Sequence, residues 1–376
     1  MTLQDLKRTC GEEISSLGYF DGAGHLRDAF DNVPREAFAP DRFWLPEKNT
    51  AGLFPLVSRE ITPDMWTRAV YSAHTAIITQ MDDGQTAQTG AAQGRFTSSL
   101  SAAGVVFKKL ALLNLQRGQR VLEIGTGTGY NAALLAECVG GDQVVTVEID
   151  PDLADQARAT LRQTGYAPVV VCADGENGYP EGEPYDRIIS TASVQHIPYA
   201  WVEQAVPESV ILTPYGPSTL LRLVVGDCGA ASGMIVGTAS YMTVRGQRGS
   251  PSPSLDDLLK DTWSAGVISH RSPDVSFIRD TAGAFALHQL LPDVLMEFGK
   301  RATYAYTRDG SAWAAVWPDN TVKQWGTRRL ADELTQLAEW WTRANMPAIT
   351  RYGLTVTADG QTLWLDTPDN PVSRLS

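Results

Sequence analysis

Short apolar strands alternate with helices between residues 119 and 213, and this alternation constrains the fold more than any other feature of the sequence. Strands connected through helices at this spacing lie parallel in one sheet, with the helices packed on its faces. We therefore expect an α/β fold with a Rossmann-like, mostly parallel sheet. The predicted strands are 120–124, 143–149, 169–172 and 185–190, and the predicted helices are 131–139 and 151–164.

The residues before this alternation have a different pattern. Helical periodicity runs through residues 2–46 and includes a short helix at 25–32. Residues 47–95 are rich in turn-forming residues and are expected to form irregular, mobile loops. The apolar stretch 96–118 predicts a helix that leads into the first strand of the sheet.

The residues after 214 predict a mixture of helices and antiparallel strands. Asp-Gly turns at 307–311 and 357–361 lie between alternating apolar runs and indicate hairpins. Helices are expected at about 277–297 and 328–345. The predicted division is a helical and loop segment (1–95), a Rossmann-like core (96–214) and a C-terminal α+β extension (215–376).

Composition excludes several classes of function. The chain has 31 Lys and Arg against 43 Asp and Glu, a net charge of -12, which argues against binding to nucleic acid or to an anionic membrane surface. We find neither a secretory signal nor an apolar run of ~18 residues that could span a membrane. The four cysteines are scattered without a CxxC pair, so we predict no metal site, no disulfide framework and a reduced, cytoplasmic protein.

The segment Gly125-Thr126-Gly127-Thr128-Gly129 follows the first predicted strand and opens the next helix. Glycines in such a turn let the backbone approach a bound cofactor closely. Glu123, two residues earlier, suits a cationic or amino-bearing ligand better than a pyrophosphate. The alternative is a tight strand-to-helix turn that binds nothing.

Two further acids follow the next strands of the predicted sheet. Glu148 ends the second strand, where a carboxylate can hold a ribose diol, and Asp174-Gly175 follows the third, where an Asp suits an adenine amino group. For Glu148 the alternative is a solvated acid beside a helix cap, although Asp150 fits that role better. For Asp174 the alternative is a simple Asx turn. Three acids at successive strand ends favour a ligand at this edge of the sheet.

In these residues the chain resembles the class I S-adenosylmethionine-dependent methyltransferases, and more narrowly the protein-L-isoaspartate O-methyltransferase family. The resemblance covers about residues 30–214 and rests on the order and spacing of several blocks. The blocks are Val33-Pro34-Arg35-Glu36-Ala37-Phe38, 121–136, 173–180, 185–192 and Ile197-Pro198-Tyr199-Ala200-Trp201. It implies that S-adenosylmethionine contacts Glu123, Gly125, Thr126, Gly127, Thr128, Gly129, Glu148, Ile149, Asp174, Gly175 and Thr191.

The family resemblance also implies methyl transfer to a peptide carboxylate. A carboxylate with a pKa of ~4 is already ionised at neutral pH, so the reaction needs alignment and exclusion of water and no general base. The resemblance places a substrate-contacting hydroxyl at Ser101, with Ser98 and Ser99 as further candidates; the alternative is that these hydroxyls cap a helix at 102–113. His196 is a further candidate for substrate contact, or else an exposed loop residue.

Three positions depart from the family pattern: Ala103 replaces a Pro, Ala173 replaces a Gly, and Glu208-Ser209 replaces a Gly-Gly pair. The first lies on the substrate side and favours a substrate other than a standard isoaspartyl residue. The extension resembles that of methyltransferases of ribosomal peptide biosynthesis, which accompany graspetide, lanthipeptide and lasso-peptide maturation.

Our main prediction is therefore O-methylation of an Asp side chain in a precursor peptide, whether or not it is already macrocyclised. This reaction leads to an aspartimide and, after hydrolysis, to isoaspartate. The extension would recognise the peptide. The alternatives are a protein-repair isoaspartyl methyltransferase, a small-molecule methyltransferase and a non-catalytic binding module.

Overall fold

A computed structural model describes residues 2–250, 252–270 and 273–374 of the chain. Its α-helices are α1 (Leu3–Ser16), α2 (Gly24–Asn32), α3 (Pro63–Val70), α4 (Ala103–Leu113), α5 (Tyr130–Val139), α6 (Pro151–Gln163), α7 (Tyr199–Glu203), α8 (Leu255–Thr262), α9 (Thr281–Leu290) and α10 (Leu330–Arg343). Its strands are β1 (Arg42–Trp44), β2 (Leu56–Ser58), β3 (Ile77–Met81), β4 (Phe96–Leu100), β5 (Val121–Ile124), β6 (Val144–Glu148), β7 (Val169–Cys172), β8 (Tyr185–Ser190), β9 (Ala205–Tyr215), β10 (Thr219–Val225), β11 (Ala231–Thr238), β12 (Val267–Ser269), β13 (Val294–Phe298), β14 (Thr303–Thr307), β15 (Ala312–Val316), β16 (Val322–Gly326), β17 (Tyr352–Thr357) and β18 (Gly360–Leu365).

The central element is a nine-stranded sheet in the order β18-β17-β11-β10-β9-β8-β5-β6-β7. The strands from β9 to β7 run parallel, and the remaining four add to that sheet in antiparallel fashion. The chain leaves β5 toward β6 and β7 and then returns to form β8 on the other side of β5. This reversal creates a crevice at the carboxyl ends of the strands, which is where open α/β sheets bind ligands. The predicted fold class is confirmed.

The predicted elements between residues 120 and 190 are all present, each to within one residue of its predicted ends. The fully buried strands β5 and β6 account for this agreement, because an apolar run buried on both faces is the signature of a central parallel strand. The Asp150 side chain accepts from the N–H groups of Asp152 and Leu153 at the start of α6, and Pro151 occupies its first turn.

The N-terminal prediction is wrong in two places. Residues 47–95 contain α3 and β3, and the predicted helix at 96–118 begins with β4 instead. β4 forms because it pairs antiparallel with β3, in a four-stranded sheet of order β2-β1-β3-β4. Local periodicity does not report a pairing between segments that lie far apart in the chain.

The C-terminal hairpins β14–β15 and β17–β18 form at the predicted Asp-Gly turns, and α10 matches the second predicted helix. The predicted helix at 277–297 is wrong at its end, since α9 stops at Leu290 and β13 begins at Val294. Pro292 explains the stop, because the residue before a proline is disfavoured in helical conformation.

The expected boundary after residue 214 cuts through the sheet. Strands β10 and β11 continue the sheet beyond that point, and β17 and β18 return to it from the end of the chain. Only the intervening part of the extension has a separate sheet, of order β12-β16-β15-β14-β13, on which α9 and α10 pack. The last strands therefore stabilise the same sheet that carries the crevice.

Two buried clusters cover the two faces of the nine-stranded sheet. One contains side chains of α1, α2, α4 and α5, such as Phe30, Phe107 and Leu134. The other combines Trp201 of α7 with Tyr352 and Leu354 of β17. In the part of the chain that the structure describes, no helix is both long and apolar enough to cross a membrane.

Leu354→Ala tests the place of β17 in the core. Leu354 is 2% exposed, and truncating such a side chain costs about 2–5 kcal/mol in free energy of unfolding. We expect the loss in urea denaturation, with a single transition because β17 belongs to the central sheet. Leu17→Ala, at a side chain that is 44% exposed, is the control. An early separate transition in the Leu354 variant would contradict the shared sheet.

Candidate functional site

A cleft of about 940 Å³, its open mouth included, lies at the carboxyl ends of β5, β6 and β7. It is bordered by β4 with the turn after it, the glycine loop, the strand ends, the segment Met242–Arg248 that follows β11, and single side chains of neighbouring helices. The predicted residues that line it are Ser98, Ser99, Ser101, Gly125, Thr126, Gly127, Thr128, Glu148, Ile149, Asp174, Gly175 and Thr191.

The glycine loop turns sharply out of β5. Gly125, Gly127 and Gly129 have φ angles of 89°, 54° and 88°, which favour glycine over other residues. A Cβ on Gly125 would lie 2.6 Å from the Thr191 hydroxyl oxygen, so the loop also packs too closely for a side chain there. These contacts keep the backbone of the loop against the strand ends and leave the space above it open.

Glu148 holds the loop from the next strand. Its Oε2 accepts from the Gly127 N–H at 2.8 Å and its Oε1 from the Asp150 N–H at 3.1 Å. Burial raises the pKa of Glu148, while these N–H donors favour the ionised form. The carboxylate is 7% exposed and borders the cleft, which suits it to a ribose diol.

Asp174 follows β7 and borders the cleft from the other side. Its Oδ1 accepts from the Glu176 N–H at 3.0 Å, so the predicted Asx turn is present. The turn and a ligand-binding role are compatible, because the residue is exposed and lines the cleft.

Glu123 does not line the cleft, which corrects its predicted contact with the cofactor. It is fully buried behind the loop, where its Oε1 accepts from Asn131 Nδ2 at 2.7 Å and its Oε2 from the Thr146 hydroxyl at 2.6 Å. Burial raises its pKa to about 7. Thr146 also bonds the Thr126 hydroxyl at 2.7 Å, so Glu123 stabilises the loop from below.

Gly129 is the second correction among the predicted cofactor contacts, since it does not line the cleft. It is the N-cap of α5, and a Cβ there would contact Ala157 and Leu161 of α6 at 3.4 and 3.3 Å. Its role is close packing of the two helices.

A buried lysine that the sequence reasoning missed lies near Glu123. Lys109 of α4 is 1% exposed, its Nζ donates to the Ser190 carbonyl at 2.5 Å, and it lies 4.5 Å from the ring centroid of Tyr241. Burial lowers the pKa of Lys109 to about 7, against the charge of Glu123. Its position among Val106, Leu110 and Leu113, on the apolar face of α4, is the signal that could have found it.

Comparison with known proteins identifies the family. A model of the family described as protein-L-isoaspartate(D-aspartate) O-methyltransferase matches residues 68–244. Protein-L-isoaspartate O-methyltransferase 2 of Archaeoglobus fulgidus is 36% identical over 165 residues, which are 43% of this chain and 75% of the relative. The protein-L-isoaspartate O-methyltransferase of Methanopyrus kandleri is 43% identical over 215 residues, 56% of this chain and 77% of the relative. This chain belongs to the protein-L-isoaspartate O-methyltransferase family.

A solved structure titled protein-L-isoaspartate O-methyltransferase superposes with a TM-score of 0.55 at 20% identity. The alignment covers 96% of this chain and 100% of that chain, and it supports the fold alone. Members of the family are carboxyl O-methyltransferases that use S-adenosylmethionine. The cleft fits S-adenosylmethionine, because Glu148 and Asp174 border it and the glycines at 125 and 127 let the backbone of the loop line it closely.

Ser101, where the family resemblance implies a substrate-contacting hydroxyl, lines the cleft together with Ser98 and Ser99. The capping alternative fails, because the N-cap of α4 is Ala102 and no side chain caps that helix. Arg35, 1% exposed, donates from its Nη2 to the Ser101 carbonyl at 2.6 Å and from its Nε to the Val70 carbonyl at 2.7 Å. The backbone of Ser101 is therefore fixed from below.

His196 is exposed and lies outside the cleft lining, so its predicted substrate contact is not supported. Its backbone N–H and carbonyl both bind the Gln247 side chain, at 3.1 and 3.0 Å. These bonds hold the backbone of His196 in an exposed loop, which is the alternative that the sequence analysis left open.

The segment Met242–Arg248 is the largest part of the cleft that the sequence reasoning missed. It contributes Arg245 and Arg248, both paired with Asp83 in the turn after β3. The side chain of Gln247 donates to Glu176 at 2.8 Å. The chain is acidic overall, so two arginines within one four-residue stretch were the available signal. Only the fold, however, brings them to the cleft.

Glu148→Ala tests the cofactor contact. Hydrogen bonds to a charged group contribute about 1.5–3 kcal/mol, so we expect the affinity for S-adenosylhomocysteine to fall roughly tenfold to a hundredfold in calorimetric titration. The exposed Glu181→Ala is the matched control. Equal affinities in the two variants would remove Glu148 from the cofactor site.

Glu123→Gln tests the buried carboxyl through pH. Because the folded-state pKa of about 7 lies above the ordinary value of 4.5, Glu123 destabilises the native state increasingly as pH rises from about 5 to 7. Gln does not titrate, so the stability of the variant relative to the wild type should rise over that range by about 1 kcal/mol per pH unit. Urea denaturation at pH 5, 6 and 7 measures this, with the exposed Glu60→Gln as control. A pH-independent difference would show that Glu123 has an ordinary pKa.

Proposed function

We propose that this chain transfers a methyl group from S-adenosylmethionine to a carboxylate of a protein or peptide, with an isoaspartyl carboxylate as the first candidate. The supporting observation is that one cleft combines the glycine loop, Glu148 and Asp174 with the hydroxyl of Ser101, in a chain whose relatives carry the name of that activity. The same combination favours an enzyme over a non-catalytic binding module.

The residues of the cleft have distinct roles in this reaction. The glycine loop, Glu148 and Asp174 hold the cofactor, which supplies an electrophilic methyl group on a sulfonium. Ser101 donates a hydrogen bond to the substrate carboxylate and orients one oxygen for in-line attack. Leu100, Val106 and Met242 border the same cleft and reduce access of water to the reacting groups.

No group in the cleft has to act as a general base. The attacking carboxylate is already ionised, and the carbon–oxygen bond forms as the carbon–sulfur bond breaks. The products are a methyl ester and a neutral thioether, so the reaction ends without a proton to remove.

The second candidate is an Asp side chain of a ribosomally made precursor peptide. After its methylation, the following backbone nitrogen attacks the ester carbonyl, the bond to the methoxy oxygen breaks, and methanol leaves with the amide proton. An aspartimide remains, and water can open it to isoaspartate.

One feature favours this second candidate: Ala103 stands where the family resemblance implies a proline on the substrate side. The extension adds a separate five-stranded sheet. We propose that the extension recognises the peptide. Its fold is no marker of this pathway, however, because a solved structure titled as an isoaspartyl methyltransferase covers 96% of the chain.

Matched synthetic peptides distinguish the two substrates. One peptide carries isoaspartate and its partner carries Asp at the same position, and each is incubated with the protein and S-adenosylmethionine. A methyl mass gain confined to the isoaspartyl peptide supports the first candidate. Methylation of the Asp peptide followed by loss of methanol supports the second, and lack of turnover on isoaspartyl peptides would reject the first.

Ser101→Ala tests the substrate hydroxyl. Loss of one hydrogen bond to a charged group, about 1.5–3 kcal/mol, should lower kcat/KM for the peptide substrate roughly tenfold to a hundredfold. The affinity for S-adenosylhomocysteine should not change, because the hydroxyl acts on the substrate. Ser15→Ala, exposed on α1, is the control. An unchanged kcat/KM would exclude Ser101 from the reaction.

A further inference from the structure

A charge cluster joins two segments across the mouth of the cleft. Asp83, in the turn after β3, accepts from Arg248 Nη1 with both oxygens, at 2.8 and 2.9 Å, and from Arg245 Nη2 at 3.1 Å. Arg245 Nη2 also lies 3.4 Å from Asp150 Oδ2. One carboxylate therefore sits between two guanidinium groups, an arrangement suited to carboxylate recognition.

The cluster adjoins the serine hydroxyls on one side and, through Asp150, the end of β6 on the other. The N–H of Asp83 donates to the Thr97 hydroxyl at 3.1 Å, and Thr97 belongs to β4 with Ser98 and Ser99. The Nε of Arg248 donates to the Thr243 carbonyl at 3.2 Å. Thr97, Thr243 and both arginines line the cleft.

The two arginines hold the Asp83 carboxylate, while the neighbouring Asp82 fixes the same turn by accepting from the Arg95 N–H at 2.8 Å and the Thr86 hydroxyl at 2.6 Å. The backbone of Asp83 has φ 52° and ψ 40°, and Asp82 before it also has φ 52°, a left-handed conformation that costs a non-glycine residue energy. The Asp83 side chain is 37% exposed, and no residue of this turn is buried. Although partial burial raises the pKa of Asp83, the hydrogen bonds and charge of Arg248 and Arg245 hold it below its ordinary value.

Arg245 also has unused hydrogen-bonding capacity. Its Nε is buried and has no partner among the residues that the structure describes. A buried N–H without an acceptor is unfavourable, and Asp83 does not satisfy it. The arginine pair thus offers more donors than Asp83 uses.

We propose that Arg245 and Arg248 form the binding site for a carboxylate of the peptide substrate, and that Asp83 occupies this site until the peptide replaces it. The exchange leaves the charge between the two arginines unchanged, so neither half-buried guanidinium group loses its counter-charge. This inference rests on the proposed function and names the residues that select an anionic peptide.

The inference predicts effects of opposite sign on the two sides of the cluster. Arg245→Gln and Arg248→Gln remove hydrogen-bond donors to the substrate, so each should raise the KM for the peptide substrate by about tenfold or more. Asp83→Asn removes the competing carboxylate, so it should lower that KM severalfold. S-adenosylhomocysteine should bind all three variants as it binds the wild type, which also shows that they are folded. Arg8→Gln, at a side chain that is 62% exposed, is the control for loss of a positive charge.

If the charge cluster served only to hold the cleft closed, the variants would behave differently. In that case Asp83→Asn would raise KM or weaken cofactor binding, in the same direction as the arginine variants, and the inference would be wrong. Unchanged KM values in all variants of an active enzyme would also overturn it, while leaving the proposed function intact. A wild-type protein that methylates neither matched peptide would instead reject the proposed function, and this inference with it.

Discussion

The parallel pairing of β5 with both β6 and β8 is the constraint on which the rest of the structure depends. It places the carboxyl end of β5 at the point where the chain reverses direction, so that loops diverge there and leave a crevice. The glycine loop can enter that crevice because glycine, which has no Cβ, readily adopts the three positive φ angles of its turn. The bond from the Gly127 N–H to Glu148 then ties the loop to the end of β6. The geometry of the cofactor site follows from strand order and one backbone turn.

The polar groups below the glycine loop look like ligand-binding residues in the sequence, but in the structure they support the loop. Glu123 precedes the glycines, as a ligand-binding acid would, but each of its carboxylate oxygens accepts a bond from within the protein, from Asn131 and from Thr146. The nearby Lys109 supplies the opposite charge, and each pKa is displaced to about 7 by burial. Glu123 joins β5 to α5 through Asn131 and to β6 through Thr146, whereas Lys109 joins α4 to the end of β8 through the Ser190 carbonyl.

Sequence reasoning succeeded where burial and local chemistry coincide and failed where distant segments meet. β5, β6 and the Asp150 cap were predictable, because apolar runs and a capping Asp before Pro151 are local signals. The sequence predicts a helix where β4 forms, since the strand character of β4 depends on pairing with β3. Asp83 and Arg248 lie 165 residues apart, so their pairing could not be read from the sequence. For the same reason the sequence does not show that Glu123 and His196 lie outside the cleft lining, because only the fold determines which side chains face the cleft.

The extension is joined to the cleft by direct contacts, which bears on how a peptide bound there would be presented. His288 of α9 bonds the Gln195 side chain at 2.5 Å, and the N–H of Gln195 donates to Gln247 Oε1 at 2.6 Å. Burial lowers the pKa of His288 to about 4, so this link is neutral and persists at physiological pH. Gln247 lies between Arg245 and Arg248, the two residues that hold Asp83. The extension, which we propose to recognise the peptide, is thus connected through Gln195 and Gln247 to the segment Met242–Arg248 that borders the cleft, and the contacts of that segment include this link to α9 as well as its own ion pairs.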